Sequence, residues 1–144
     1  MNTSPNLSVT KSLVGLLLLA GAACASSPPR VNNVQALTER LQGAWVLQSY
    51  RPFTALELPL VALINLQFGQ MRVTITGAQI SAQGPGVQVV RTYQVLEADD
   101  LSATLNVFET TGASVRVRIE IQGNSLSFHP MDAPWSGEGT LQRL

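Results

Sequence analysis

The sequence predicts an all-β domain, an antiparallel sheet of about eight short strands joined mainly as hairpins and preceded by a short helix. Three observations carry this. From Ala44 onward apolar and polar residues alternate with period two. Turn-forming residues interrupt the alternation at intervals typical of hairpins. The clear helical spacing lies ahead of this region, at Val34, Leu37 and Leu41.

The segment before the domain belongs to a different category. No acidic residue precedes Glu39, the first basic side chain is Lys11, and an apolar run extends from Leu13 to Ala20. Positive, apolar and small residues in that order make residues 1–23 a secretory signal peptide. The run falls well short of the roughly 20 apolar residues that cross a bilayer as a helix, and small residues, not a charge cluster, follow it.

The stretch Leu19-Ala20-Gly21-Ala22-Ala23-Cys24 resembles the lipobox of bacterial lipoproteins. That resemblance implies cleavage before Cys24 and lipidation of its thiol. The protein would then be exported and anchored in the cell envelope through its lipid. Ala25 is not the Asp that retains some lipoproteins in the inner membrane, so the outer membrane is expected. Gly21 departs from the larger aliphatic residue usual three positions before the cysteine. Ordinary signal cleavage after Ala22 gives the alternative, a secreted or periplasmic soluble protein.

Cys24 is the one cysteine of the 144 residues, so no intrachain disulfide can form and the domain depends on its core. An unpaired cysteine in an exported chain is explained by acylation. All nine acidic residues follow Cys24, as do all the arginines, whereas the lone lysine is Lys11. The near-neutral balance offers no strongly basic surface for nucleic acid. Residues 24–33 carry two prolines and no apolar period, and read as a flexible tether. Residues 34–144 form the folded domain, which opens with a short amphipathic helix ended by Gly43.

The clearest strand is Ser114 to Gln122, in which Val115, Val117, Ile119 and Ile121 alternate with charged and polar residues. Similar alternation covers Met71 to Thr76 and Leu101 to Val107. Met71 to Ala82 can be one bent strand or two. Turns are expected at Gly69, Gly77, Gly84 to Gly86, Asp99-Asp100, Thr111-Gly112 and Gly123-Asn124. Arg51 to Ile64 breaks the rhythm with two prolines and an apolar run from Leu56 that holds one charge, Glu57. Its plainer reading is a loop with a short buried helical turn or the start of the second strand. The functional reading is an apolar lid over an open end. Either reading leads into a strand near Leu66 and Phe68.

Leu41-Gln42-Gly43-Ala44-Trp45-Val46-Leu47 resembles the opening of lipocalin-like domains, whose first strand carries Gly-x-Trp after a short helix. The resemblance implies a lipocalin-like up-and-down barrel. In it the tryptophan sits at the closed end and an arginine of the last strand packs across it. Gly43, Trp45 and Arg143 are the matching residues. Antiparallel closure also sets the end of the last strand, Thr140 to Leu144, beside the start of the first. Arg143 shares its face with Leu141, where a cation over an indole is favourable.

Groups for catalysis are sparse, and no enzyme activity is expected. His129 is the single histidine, and it reads as a strand-end residue in water. With one histidine and one cysteine no zinc-type ligand set can be drawn, so neither metal nor cofactor is expected. Motifs for a nucleophile elbow, a phosphate loop or a dinucleotide turn are absent from the sequence. Asp99 and Asp100 read as turn formers.

Binding is the more natural expectation. Arg91 falls on the apolar parity of its strand with Tyr93, and reads as either a ligand contact or half of an ion pair with Glu109. Trp135, in the last hairpin loop, is either an anchor at the open rim or a plug over the core edge. The leading reading is a lipid-anchored envelope protein that binds a small apolar or amphipathic molecule near Arg91, Tyr93, Trp135 and the Leu56 to Ile64 segment. The alternative is a structural or interaction lipoprotein whose barrel is filled by its own side chains. The sequence leaves the oligomeric state open.

Overall fold

The structure, a computed structural model, describes residues 30–144. The expected signal peptide, Cys24 and most of the expected tether lie outside the described residues. Helix α1 (Arg30–Leu41) leads directly into strand β1 (Gly43–Pro52). It starts four residues earlier than the apolar spacing predicts, so Arg30 to Asn33 belong to the helix and not to the tether. A second helix, α2 (Leu58–Gln67), precedes β2 (Arg72–Thr76), β3 (Gln79–Gly84) and β4 (Val87–Ala98). The chain continues through β5 (Ser102–Phe108), β6 (Ser114–Gln122), β7 (Ser125–Pro130) and β8 (Gly137–Arg143).

The eight strands pair in sequence order, all antiparallel, and β8 returns to β1 to close the barrel. Met71 to Ala82 resolves into two strands joined by a tight turn at Gly77-Ala78. Strand β6 spans the residues that the alternation predicts, and its neighbours pair along nearly its whole length. Closure removes the free edges through which open sheets associate.

The two ends differ. At one end lie the start of β1, the end of β8 and the β2–β3, β4–β5 and β6–β7 turns. Helix α1 covers this end and pushes Leu37 and Leu41 into the core beside Trp45. Trp45 has no exposed surface, and its Nε1–H donates to Leu41 O at 3.0 Å. Arg143 lies opposite Trp45 in the β1–β8 register, with its guanidinium carbon 4.1 Å from the centre of the indole.

The same guanidinium donates to Gln42 O at 2.9 Å and to Arg40 O, and so satisfies carbonyls at the end of α1. Gly43 makes the approach feasible: its φ of 120° is one that side chains resist, and a Cβ there would meet Arg143 Nη1 at 3.0 Å. Tyr93 adds to the seal by donating from Oη to Gly77 O at 2.7 Å, and burial raises its pKa against a weaker lowering by Gln42.

At the opposite end lie α2, the β3–β4 and β5–β6 turns, and the β7–β8 connection. The expected strand at Leu66 and Phe68 does not form. Leu66 is in α2, Phe68 caps it, and β2 starts only at Arg72. The predicted short turn is thus a full helix. Pro59 stands in its first turn, where the missing N–H costs nothing.

Candidate functional site: an apolar cavity in the barrel

Above the Trp45 layer the barrel is not filled. A cavity of about 380 Å3 runs from Leu41 and Leu141 up to Trp135 at the rim, within the roughly 300–1,000 Å3 range of small-molecule sites. Strands β2, β3, β5, β6, β7 and β8 contribute their inward parity, for example Val73, Ala82, Leu105 and Ile119. Gln67, Tyr50 and Trp135 are the lining side chains with polar atoms; the others are hydrocarbon or thioether. No acid, arginine or histidine lines it.

Tyr50 reaches the cavity through a backbone irregularity. The β1–β8 register shifts between Leu47 and Ser49, a bulge that takes Gln48 out of the pairing. Without it, the parity of Trp45 and Leu47 would turn Ser49 and Arg51 inward. With it, Tyr50 lines the wall, its ring stacked on Phe128 with centroids 6.0 Å apart. Its Oη–H donates to Trp135 O at 2.6 Å, and burial raises its pKa.

That bond fixes the β7–β8 connection over the mouth. Phe53 N–H donates to Ser136 O at 2.9 Å, and Thr54 Oγ1 to Pro134 O at 3.3 Å. From the other side, Asp132 accepts from the Arg116 backbone N–H at 2.8 Å and from Arg116 Nη2 at 2.9 Å. These bonds to Arg116 hold the Asp132 carboxyl below the usual carboxylate range. Trp135 is therefore set at the rim by bonds from β1, from the two residues that follow β1 and from β6, and it lines the cavity while keeping 37% of its surface exposed.

Helix α2 lies across the rest of the mouth. Ile64 and Gln67 line the cavity, whereas Leu58 is 83% and Leu66 55% exposed. The helix is apolar on both faces and its span holds no charge. Gln67, 3% exposed, fastens its last turn to the β3–β4 hairpin by donating from Nε2 to Pro85 O at 2.9 Å.

Two of the predicted ligand contacts stand elsewhere. Neither Arg91 nor Tyr93 lines the cavity. Both keep the inward parity, but β4 is tilted and long, so Tyr93 falls at the level of Ala78, at the closed end. Arg91 lies beside Ile80 and donates to Val90 O at 2.9 Å. The Arg91–Glu109 ion pair does not form among the described residues, whose ion pairs are Arg51–Glu138 and Arg116–Asp132. A bulge in β4 between Val95 and Glu97 sets Phe108 opposite Thr92, and Glu109 has already left the strand to bond Ala113.

Asp99 forms the β4–β5 turn by accepting from Leu101 N, Ser102 N and Ser102 Oγ, which lowers its pKa. His129 pairs with Arg118 across the β6–β7 ladder and lies off the cavity wall. Among the described residues no three His, Cys, Asp or Glu side chains come together as a metal site, and no helix is long and apolar enough to cross a membrane. Comparison with protein-family models, with curated proteins and with solved structures returns no match, so geometry alone identifies the site.

Proposed function

We propose that this chain is a lipid-anchored envelope protein whose barrel binds one small apolar or amphipathic molecule. The observation that carries the reading is the hydrocarbon-lined interior of about 380 Å3, which a scaffold filled by its own side chains would lack. Burying an aliphatic chain there gains about 25 cal/mol for each Å2 removed from water. The exposed apolar face of α2 suits such a ligand, because a molecule leaving a bilayer meets hydrocarbon from the rim inward. The order of the eight strands and the placement of Arg143 over Trp45 support a lipocalin-like relationship.

Native mass spectrometry of the gently purified full chain tests the binding function. A co-purified small molecule is expected. No bound molecule, together with no uptake of the apolar dye diphenylhexatriene, would count against it. The anchor is tested separately: Cys24→Ser should abolish lipid labelling and move the protein out of the membrane fraction, and unchanged detergent partitioning would remove the anchor from the reading.

A further inference from the structure

Gln67 is the buried polar side chain of the cavity wall, and half of its amide is unused. Its Nε2 donates to Leu63 O at 3.0 Å and to Pro85 O at 2.9 Å. Both partners are carbonyls, so the reversed amide would set oxygen against oxygen, and the orientation is fixed. Oε1 then accepts no hydrogen bond among the described residues, although it is buried. A buried acceptor without a donor is costly, and one that persists calls for a partner.

The position of Oε1 follows from Gly84. A Cβ built on Gly84 would lie 2.1 Å from this oxygen. Ile80 and Ala82 of the same strand line the cavity, and Gly84 continues their parity. The direction of its missing side chain is therefore the barrel interior, and Oε1 occupies that space just under the mouth.

Resting on the cavity as a ligand site, we infer that the ligand is an aliphatic chain ending in an uncharged hydrogen-bond donor, an alcohol or amide, that donates to Gln67 Oε1. The chain fills the hydrocarbon space below, and the donor meets the buried acceptor that has no partner. An ionised carboxylate offers no donor, and no arginine or lysine lines the cavity to receive it. An ammonium would lose its hydration without a counter-charge. With α2 seated, the oxygen is beyond the reach of water. The donor reaches it when the last turn of α2 shifts to admit the chain, and Gly84 presents no side chain to obstruct that shift.

The test compares 1-dodecanol with its isomer methyl undecyl ether, equal in carbon count but lacking the donor, as competitors for diphenylhexatriene bound to the full chain. The alcohol should compete at a concentration about fivefold lower, the worth of one neutral hydrogen bond. Gln67→Leu should bring the two compounds level. Equal competition with the unaltered protein overturns the assignment of Gln67 while leaving the cavity reading intact, and that comparison holds even if Gln67→Leu fails to fold. Failure of every chain compound to compete overturns the cavity reading itself.

Discussion

Replacing Ala82 with leucine adds three carbons to the barrel at a position where the structure has room. Ala82 faces inward from β3 between Val73 and Val89, and its methyl group forms part of the cavity wall. Each CH2 equivalent moved from water into hydrocarbon contributes about 0.8 kcal/mol, so the three contribute about 2.4 kcal/mol at most. Fixing the leucine rotamer costs about 0.5–1 kcal/mol. The net is a stabilisation of about 1.5 kcal/mol, enough to raise Tm by about 6 °C or more in a domain of this size. Urea unfolding followed by near-UV circular dichroism measures it, and uptake of the apolar dye should fall in the same variant. A barrel filled by its own side chains predicts the opposite sign, since overpacking costs about 1–3 kcal/mol. A destabilised Ala82→Leu protein with unchanged dye binding would refute the cavity as a binding space.

Other expectations concern the two ends of the barrel. Trp45→Ala should cost about 3–5 kcal/mol, because the indole is wholly buried between α1 and Arg143; a loss under 1 kcal/mol by urea titration would contradict that role. Gly84→Ala should destabilise by about 1–2 kcal/mol, since its Cβ at 2.1 Å from Gln67 Oε1 must push the amide off Pro85, and amide hydrogen exchange in the last turn of α2 should quicken. Asp132 has a pKa lowered by Arg116, so its contribution is present above the ordinary carboxylate value of about 3.9 and is lost as pH falls through the lower folded value. Acrylamide quenching of Trp135 should therefore rise below about pH 4. Asp132→Asn should show the higher quenching already at pH 7.

The strands were legible where one face is wet and the other dry, as in Ser114 to Gln122, because alternation then reports burial directly. The meeting of Trp45 and Arg143 was legible for a topological reason, since antiparallel closure leaves the last strand only one place to end. Helix α2 was not: Leu58-Pro59-Leu60-Val61-Ala62-Leu63-Ile64 is apolar at every position, and a run without polar residues carries no period. Parity put Arg91 and Tyr93 inside but gave no height along a tilted strand. Tyr50 was hidden by the bulge, whose one trace is the polar pair Gln48-Ser49 in an otherwise alternating strand. Gln67 gave no signal at all, since its role exists only against the absent side chain of Gly84.

The seam between β1 and β8 also governs when the domain can form. Each hairpin closes a loop of a few residues, but the Arg143 bond to Gln42 spans 101 positions. Its loop entropy must be met before any of its contacts is gained. The barrel is therefore complete only when β8 docks. A chain that stopped before Gly137 would lose the cover over Trp45, the partner of the α1 carbonyls and the strand that closes the sheet, all in one step. It would also leave β1 and β7 as two bare edges, open to pairing with a neighbour. The last strand thus acts as a checkpoint: until it docks, the protein is an aggregation hazard, and once it docks there is no edge left to recruit.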